Sequence, residues 1–396
     1  MPVSRRIFLV TLLICCILTG CWNRRDPELL GFVLATGFDY DPQTGLYQIV
    51  AQVANPLGSA SQEQSGGGVD KKPFWVVEAR GHTPYEAREN LALKSSVELF
   101  WAHNSILVLG EDLAREGILP VLDLFERERQ LRIIARPMVV EGDVVALLEA
   151  EFPLEESSSR GLWRQATTMM FERTRYPVNV LRESIINLAR PGVEIMIGRV
   201  GNVASQTDAS ATTGTPPPAK MAGAAVFKED VMVGWIGERE VAGWHWVQGR
   251  AHRATLIIPS PLDRSPLSVE VHRSHAKMAP RVEGDEVAIT IKIHARGRVQ
   301  EQTEIGDLVE SRERHLSLER RTATVIKNDV KLALKRAQEL NSDYLGLGNL
   351  IHRRLPQEWE RLEPRWEEIF PTLTLDIQVQ VDIVRAGLVT GAPTIK

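Results

Sequence analysis

Apolar and polar residues alternate strictly from residue 373 to residue 383, which is the clearest pattern in the chain. Leucine, isoleucine and valine occupy every second position, so an extended strand would place all of them on one face. Between residues 307 and 340, apolar residues recur every three or four positions, which predicts a long amphipathic helix. A long helix packed across a half-buried antiparallel or mixed sheet predicts an α+β domain in this part of the chain.

The first half of the chain mixes short apolar runs with helical patterns. A turn that contains Pro42 and Gly45 joins the first two runs into a β-hairpin, and the polar residues 58–69 are expected to form a mobile loop. The pattern predicts strands at residues 32–39, 47–54, 74–79, 105–109 and 132–140, and helices at residues 83–99, 111–116, 119–129, 143–149 and 179–189. Strands that alternate with helices predict a mixed α/β unit.

A change in composition separates the two halves. Residues 202–222 are rich in serine, threonine and alanine, include three consecutive prolines and show no apolar period, which predicts a linker or exposed loop. We therefore expect an N-terminal mixed α/β domain at residues 21–201 and a C-terminal α+β region at residues 223–396. That region could divide again into residues 223–265 and 266–390. Further short strands are predicted at residues 224–227, 231–236, 269–273, 287–295 and 298–303.

The N-terminus has the pattern of a bacterial lipoprotein leader. Arg5 and Arg6 precede an apolar stretch at residues 7–18, which is too short to span a bilayer as a helix. The following Leu-Thr-Gly-Cys sequence resembles the lipobox, in which the cysteine sulfur receives a diacylglyceryl group and the peptide is cut just before it. This predicts a signal peptide at residues 1–20 and a lipid-anchored mature chain that begins at Cys21. The alternative is an ordinary signal peptide that is cut elsewhere and leaves a free thiol.

The cysteine content and the net charge limit the disulfides that the chain can form and the partners that it can bind. The three cysteines of the 396-residue chain are Cys15, Cys16 and Cys21, so the body carries no cysteine for a disulfide framework. The formal net charge is −4, and loss of a leader with two arginines and no acid would make it −6. A mildly acidic body argues against nucleic acid or an anionic lipid surface as the main partner. No later segment is long and apolar enough to be expected to span a membrane.

A search for catalytic or metal-binding patterns finds little. His272 and His275 are three residues apart on a predicted strand, which would send them to opposite faces and prevent them from sharing a metal ion. The acidic pairs Glu155-Glu156 and Glu367-Glu368 resemble a solvated face more than the two carboxylates of a glycosidase. The sequence has no phosphate-binding loop or nucleophile elbow, and we expect neither catalysis nor a cofactor.

Aromatic residues near the C-terminus allow two interpretations. Trp359, Trp366 and Phe370 are seven and four residues apart, along one stripe of a helix that is broken or bent near Pro364. Three more tryptophans lie upstream at Trp235, Trp244 and Trp246. These side chains either pack the core of the second region or include exposed anchors for a partner protein.

The motifs together resemble the Ger(x)C family, the lipoprotein C subunits of spore germinant receptors. The resemblance is collinear and runs nearly end to end, although each motif alone is weak. It rests on Cys21-Trp22-Asn23-Arg24-Arg25, on residues 36–39, 102–104, 110–114, 127–132 and 222–228, on Gly234-Trp235, on Asp343-Tyr344-Leu345-Gly346-Leu347-Gly348, and on Trp359 and Trp366. The chain departs from the family pattern at Asn23, Tyr344 and Leu347, and its threonine- and proline-rich segment is longer.

The resemblance implies a fold, a location and partners. It implies a mixed α/β, multi-domain body on the outer face of the inner spore membrane, in complex with two integral membrane proteins, the A and B subunits. It also implies a part in nutrient-triggered germination. Trp22, Asp343, Gly346, Gly348, Trp359 and Trp366 are the motif residues expected to have structural or interface roles.

Two other functions remain open at the level of sequence. A lipid-anchored solute-binding protein that delivers a nutrient to a transporter would have a body of this size and class. A lipid-anchored cell-wall enzyme would need catalytic carboxylates, for which Glu367 and Glu368 are the candidates. The resemblance favours the non-enzymatic receptor subunit over both.

Overall fold

A computed structural model describes most of the chain as two β-sheets with packed helices. The described residues are 29–55, 73–172, 174–177, 179–201, 219–284, 286–301 and 311–384. The predicted leader, Cys21, Trp22 and the polar loop at residues 58–69 therefore lie outside them. None of the helices formed by the described residues combines the length and apolarity needed to cross a bilayer.

The described residues form thirteen strands and eleven α-helices. The strands are β1 (Leu30–Asp41), β2 (Leu46–Ala54), β3 (Phe74–Gly81), β4 (Glu98–Phe100), β5 (Ile106–Gly110), β6 (Arg136–Glu141), β7 (Met196–Gly201), β8 (Lys220–Lys228), β9 (Val231–Ile236), β10 (Ala254–Pro259), β11 (Pro266–Glu283), β12 (Glu286–Glu301) and β13 (Thr374–Ile383). The helices are α1 (Pro84–Ala92), α2 (Glu111–Glu116), α3 (Leu119–Arg127), α4 (Val144–Glu149), α5 (Ser158–Glu172), α6 (Leu181–Leu188), α7 (Glu238–Val247), α8 (Arg312–Glu339), α9 (Leu347–Arg354), α10 (Pro356–Leu362) and α11 (Trp366–Ile369).

The first sheet has a parallel centre and antiparallel ends. Its strand order is β3-β2-β1-β5-β6-β7-β8-β9, and β4 pairs with the start of β1. The central pairs β1–β5, β5–β6 and β6–β7 are parallel. The outer pairs β1–β2, β2–β3, β7–β8 and β8–β9 are antiparallel. Helices cover both faces of this sheet, as parallel strands require. Successive strand residues such as Leu107 and Val108 belong to opposite buried clusters.

The second sheet is covered by helices on one face. Its order is β10-β11-β12-β13, with antiparallel pairs except for the parallel pair β12–β13. The apolar stripe of α8, which includes Ile326, Val330 and Ala333, packs on the isoleucine and valine side of this sheet. Helix α7 lies between α8 and the end of the first sheet, and Gly243 permits this because a Cβ there would be 2.2 Å from the Asp329 carbonyl oxygen. The predicted fold class, α+β or mixed α/β with packed helices, is confirmed.

Several predicted elements have different bounds in the structure. The helix predicted at residues 83–99 ends at Ala92, and residues 98–100 form β4 instead. The serine-rich turn explains the early end, because Ser95 Oγ donates to the Val97 carbonyl oxygen and accepts from the Val97 N–H, which competes with helical bonding. The strand predicted from residue 132 begins at Arg136, and helices α5, α7 and α9 and strand β10 were not predicted.

The segment predicted as a linker does not interrupt the first sheet. Residues 220–222 belong to β8, which pairs with β7, the last strand before the segment. Strands β8 and β9 thus complete a sheet that begins in the first half of the chain. The division of the chain at residues 202–222 stays a prediction.

Candidate functional site

The motif at residues 343–348 forms the start of helix α9. Asp343 is only 4 % exposed, and its two carboxylate oxygens accept the N–H groups of Leu347 at 3.0 Å and Gly348 at 2.7 Å. These N–H groups have no partner within a helix, so the aspartate satisfies donors that would otherwise be buried and unpaired. Gly346 takes a left-handed conformation (φ 74°), and its N–H donates to the Asp343 carbonyl oxygen at 3.1 Å.

Burial sets the electrostatics of this motif. Burial raises the pKa of Asp343 to about 7, although the hydrogen bonds that its carboxylate accepts from backbone N–H groups lower the pKa. Burial also raises the pKa of Glu194, whose backbone N–H donates to the Asp343 carbonyl oxygen at 3.1 Å. The Glu194 carboxylate accepts the Glu229 N–H at 2.7 Å. The two acidic residues therefore join helix α9 to the segment before β7 and to the β8–β9 turn.

Two glycines bring the halves of the chain into close contact. A Cβ at Gly348 would be 2.8 Å from the Trp359 ring and 2.9 Å from Gly192 Cα, so neither glycine leaves room for a larger residue. The Asn349 N–H donates to the Gly192 carbonyl oxygen at 2.6 Å, and its side-chain amide donates to the Pro191 carbonyl oxygen at 3.0 Å. The Pro191-Gly192 turn after helix α6 is thus the point at which the first half of the chain contacts α9.

The predicted aromatic stripe is a buried row. Trp359 is 2 % exposed, Trp366 is 9 % exposed and Phe370 is 1 % exposed. The ring centroids of the two tryptophans are 5.3 Å apart, and those of Trp366 and Phe370 are 5.9 Å apart. The helix is broken at Pro364, where a 3₁₀ turn over Glu363–Arg365 separates α10 from α11. These three rings belong to the core, which is the first of the two interpretations of the sequence pattern.

The three upstream tryptophans occupy different sites. Trp246 is fully buried in the core beside α8. The Trp235 Nε1–H donates to Glu111 at 3.2 Å, and the guanidinium of Arg199 lies 4.9 Å from the ring centroid. Trp244 lines a cleft beside the 343–348 motif.

That cleft has a volume of about 660 Å³ and lies where α6, α7 and α9 meet. Arg190, Arg250 and Arg353 line it, and none of these three forms an ion pair with a carboxylate among the described residues. Glu183 and Glu194 supply the acidic groups of the lining. The excess of guanidinium groups suits a small polar ligand that carries a carboxylate or phosphate.

The acidic pairs and the two histidines singled out in the sequence do not line this cleft. Glu155 forms ion pairs with Arg160 and Arg164, whereas Glu367 pairs with Lys228. The prediction that His272 and His275 lie on opposite faces is wrong, because a bulge shifts the register between Val271 and Arg273 and leaves both histidines exposed. Within the ranges that the structure describes, no three His, Cys, Asp or Glu side chains are grouped to hold a metal ion.

Sequence reasoning missed the partners of the motif. Arg190, Gly192 and Glu194 come from one segment before β7, and Arg250 follows α7, so no local spacing relates them to residue 343. Arg353 lies on α9 itself. The one local signal is the Pro191-Gly192 pair, which indicates a turn but not its contact.

Comparison with known families gives two adjacent matches. The profile described as "Spore germination protein N-terminal domain" matches residues 23–201, and the profile described as "Spore germination B3/ GerAC like, C-terminal" matches residues 222–387. The unmatched gap coincides with the predicted linker. The first match begins two residues after Cys21.

Individual relatives match over nearly their whole length. The chain is 25 % identical to the putative spore germination protein YfkR of Bacillus subtilis (strain 168), over 95 % of each chain. It is also 25 % identical to spore germination protein KC of the same strain, over 94 % of this chain and 93 % of the relative. The crystal structure of the GerBC protein superposes with a TM-score of 0.57 at 20 % identity, and covers 89 % of this chain and 98 % of that one. This last likeness supports the fold.

Proposed function

Because this chain belongs to the Ger(x)C family of spore germination proteins, we propose that it is a lipid-anchored, non-enzymatic subunit of a germinant receptor. It would lie on the outer face of the inner spore membrane and support nutrient-triggered germination through contacts with the integral membrane A and B subunits. The observation that carries this proposal is the end-to-end match, over 94 % of this chain, to proteins named for spore germination.

The lipid anchor rests on the N-terminal pattern. The lipobox-like sequence ends at Cys21, and the family match starts at residue 23, so the leader precedes the family domain as in a lipoprotein precursor. Two acyl chains at Cys21 would hold the body stably, since each buried methylene is worth about 0.8 kcal/mol and one chain alone gives reversible binding.

The geometry of the motif residues supports a scaffold role. Asp343 has a pKa near neutrality, which would suit proton transfer, but both of its oxygens accept backbone N–H groups at the start of α9. Gly346, Gly348, Trp359 and Trp366 take part in the same packing. We propose that these residues maintain the shape that the membrane subunits recognise.

Replacement of the lipidated cysteine tests the anchor. Cys21→Ala should move the protein from the membrane to the soluble fraction and impair nutrient-triggered germination, because the sulfur that receives the lipid is lost. Cys16→Ala is the matched control, since it removes a cysteine of the leader and should leave both properties unchanged. Membrane retention and normal germination of the Cys21→Ala strain would defeat the proposal, as would the recovery of a free thiol at residue 21 by mass spectrometry.

The cleft favours a second candidate function, that of a lipid-anchored solute-binding protein. Its volume of about 660 Å³ falls in the usual range for small-molecule sites, and its three arginines suit an anionic group. Calorimetric titration of the purified chain with amino acids and sugars separates the candidates. Micromolar binding that is lost in Arg353→Ala would favour the solute-binding protein. Co-purification of the chain with the A and B subunits, without ligand heat, would favour the receptor subunit.

A further inference from the structure

Among the described residues, no helix covers one face of the second sheet. On this face, the exposed side chains of the three strands β11, β12 and β13 are mostly basic or neutral and polar. We call it the open face and define it by Glu270, Arg273, His275, Lys277, Lys292, His294, Arg296, Arg298, Asp376, Gln378, Gln380 and Asp382. The buried residues that alternate with them, such as Ile291 and Ile293, point toward α8.

Glu270 and Arg298 are an opposite-charge pair at one end of the open face, but basic residues lie directly opposite each other at its centre. Arg273 pairs with Arg296, His275 pairs with His294, and Lys277 pairs with Lys292. Side chains at directly opposite positions lie about 4.5–5.5 Å apart at Cβ, where like charges destabilise the strand pair and opposite charges stabilise it. The Arg273–Arg296 and Lys277–Lys292 pairs therefore disfavour the hairpin that carries them, unless something outside the hairpin offsets their repulsion.

The body itself supplies only part of that compensation. Asp382 on β13 accepts a hydrogen bond from His294 at 2.9 Å and lies 4.0 Å from the Arg296 guanidinium. Among the described residues, Arg273, Lys277 and Lys292 have no carboxylate within ion-pair distance. A row of unpaired cations thus persists across the two strands, although the formal charge of the whole chain is −4.

The chemistry of the open face favours a planar anionic partner. Protein interfaces usually have an apolar, aromatic-rich core from which lysine is depleted, whereas the central positions here are arginine, histidine, lysine and glutamine. A lipid headgroup layer is flat and offers many phosphates to a flat basic surface. Strand β1 begins at Leu30, nine residues after Cys21, so the tether to a lipid at Cys21 would reach at most about 30 Å.

We propose that the open face adsorbs to anionic phospholipid headgroups and orients the tethered body on the membrane. This inference rests on the proposed lipid anchor, which would hold the body within reach of the headgroups. The acyl chains would supply attachment, and the basic pairs would supply orientation and a dependence on lipid charge and salt. On the membrane, the lipid phosphates would offset the repulsion between the opposite lysines Lys277 and Lys292.

A single reporter on the open face tests the orientation. The body has no cysteine after residue 21, so Gln378→Cys gives one labelling site, next to Lys292 in the register of β12 and β13. The lipidated full chain carries a fluorophore there and is reconstituted into vesicles that contain nitroxide-headgroup lipids. We expect strong quenching in vesicles with phosphatidylglycerol, weak quenching in pure phosphatidylcholine, and loss of quenching at high salt. A label at Lys335→Cys, on the exposed side of α8, should stay unquenched in both.

Charge variants separate adsorption from folding. Lys292→Glu places an acid opposite Lys277, so the variant should unfold at a higher temperature while its charge-dependent adsorption falls. The double variant Lys277→Glu, Lys292→Glu should lose the charge-dependent quenching, by about fivefold for each lysine that is removed. The matched control is Lys331→Glu, Lys335→Glu, which changes the net charge equally on exposed positions of α8 and should leave the quenching unchanged.

Each outcome bears on a different claim. Equal quenching in neutral and anionic vesicles, or normal quenching in the double variant, overturns the inference. Protection of residue 378 from an aqueous quencher only when the A and B subunits are present would also overturn it, in favour of an acidic protein surface. If Cys21 carries no lipid, the chain should leave neutral vesicles but retain salt-sensitive adsorption to anionic ones. That result would defeat the proposed anchor and support the open face.

Discussion

Asp343 makes one contact that is local in the chain and one that is distant. Its side chain caps α9 and its backbone carbonyl accepts the N–H of Glu194. The helix and this cap were not predicted, because Asp343 lies three residues before the N-cap residue Gly346 and not at the N-cap itself. The contact with Glu194 could not be predicted either, because the two residues are far apart in the chain and no local period relates them.

The raised pKa of Asp343 makes a prediction about stability and pH. An aspartate in an unfolded chain has a pKa of 3.8, whereas burial raises the pKa of Asp343 to about 7, so the folded chain keeps a proton that the unfolded chain releases between these values. Its contribution to the free energy of unfolding should therefore be fully present below about pH 4 and be lost as the pH rises to about 7. Asp343→Asn should remove this trend and cost about 1–3 kcal/mol, because an amide cannot accept both N–H groups.

Urea denaturation of the wild type and of Asp343→Asn at pH 5 and pH 8 checks this prediction. His245 acts in the opposite direction, since burial lowers its pKa to about 4 and its contribution is lost as the pH falls below 6.5. It is present in both proteins, so it cancels in the difference between them. A difference in unfolding free energy that is the same at both pH values would show that Asp343 does not titrate in this range.

At the scale of single helices and strands, the sequence predicted the elements whose apolar residues recur with a clear period. The final strand, the long helix α8 and the β1–β2 hairpin were predicted because each has a clear alternation, stripe or turn. Helix α7 was not predicted, since its glycine and its two tryptophans suit contact with α8 and the first sheet rather than helical propensity. The open face was also missed, because its like charges come together only through the register of β11 and β12.

Helix α9 yields a prediction that reverses the usual effect of a substitution. Alanine is favoured over glycine within a helix by about 1 kcal/mol, so Gly348→Ala would stabilise an isolated α9. Here the new Cβ would lie 2.8 Å from Trp359 and 2.9 Å from Gly192, within a row of rigid rings and backbone. We therefore expect a net loss of about 1–3 kcal/mol and a lower melting temperature.

The matched control is Gly201→Ala on β7, where the nearest atom to the new Cβ would be 3.9 Å away. Its melting temperature should stay within about a degree or two of the wild type, since the site has room. A Gly348→Ala protein that melts with the control would show that α9 shifts away from Gly192 without cost.

At the scale of the whole molecule, two observations divide the chain differently. The change in composition at residues 202–222 suggests two domains, whereas the hydrogen bonding of the first sheet joins strands from both sides of that segment. The family profiles stop and start around this segment, as a division between two domains would predict. The sheet instead takes β8 and β9 from beyond it, and one buried cluster combines Met196 and Val226 with residues of the second sheet. Ser342 Oγ adds a hydrogen bond to the Phe227 carbonyl oxygen at 2.5 Å.

These contacts predict that the two sequence segments form one cooperative unit. A protease site inserted between residues 210 and 211 should be cut without separating the fragments, because strands β7 and β8, the Asn349–Gly192 contact and the shared core would hold them together. Size-exclusion chromatography of the cut protein should give a single peak at the volume of the uncut chain, and heating should give one transition at a lower temperature, since the cut raises the entropy of the separated state. Fragments that elute apart without denaturant would instead support independent domains at residues 21–201 and 223–396, joined only through the linker. In that case the contacts around Gly192 would be too weak to fix the halves against each other.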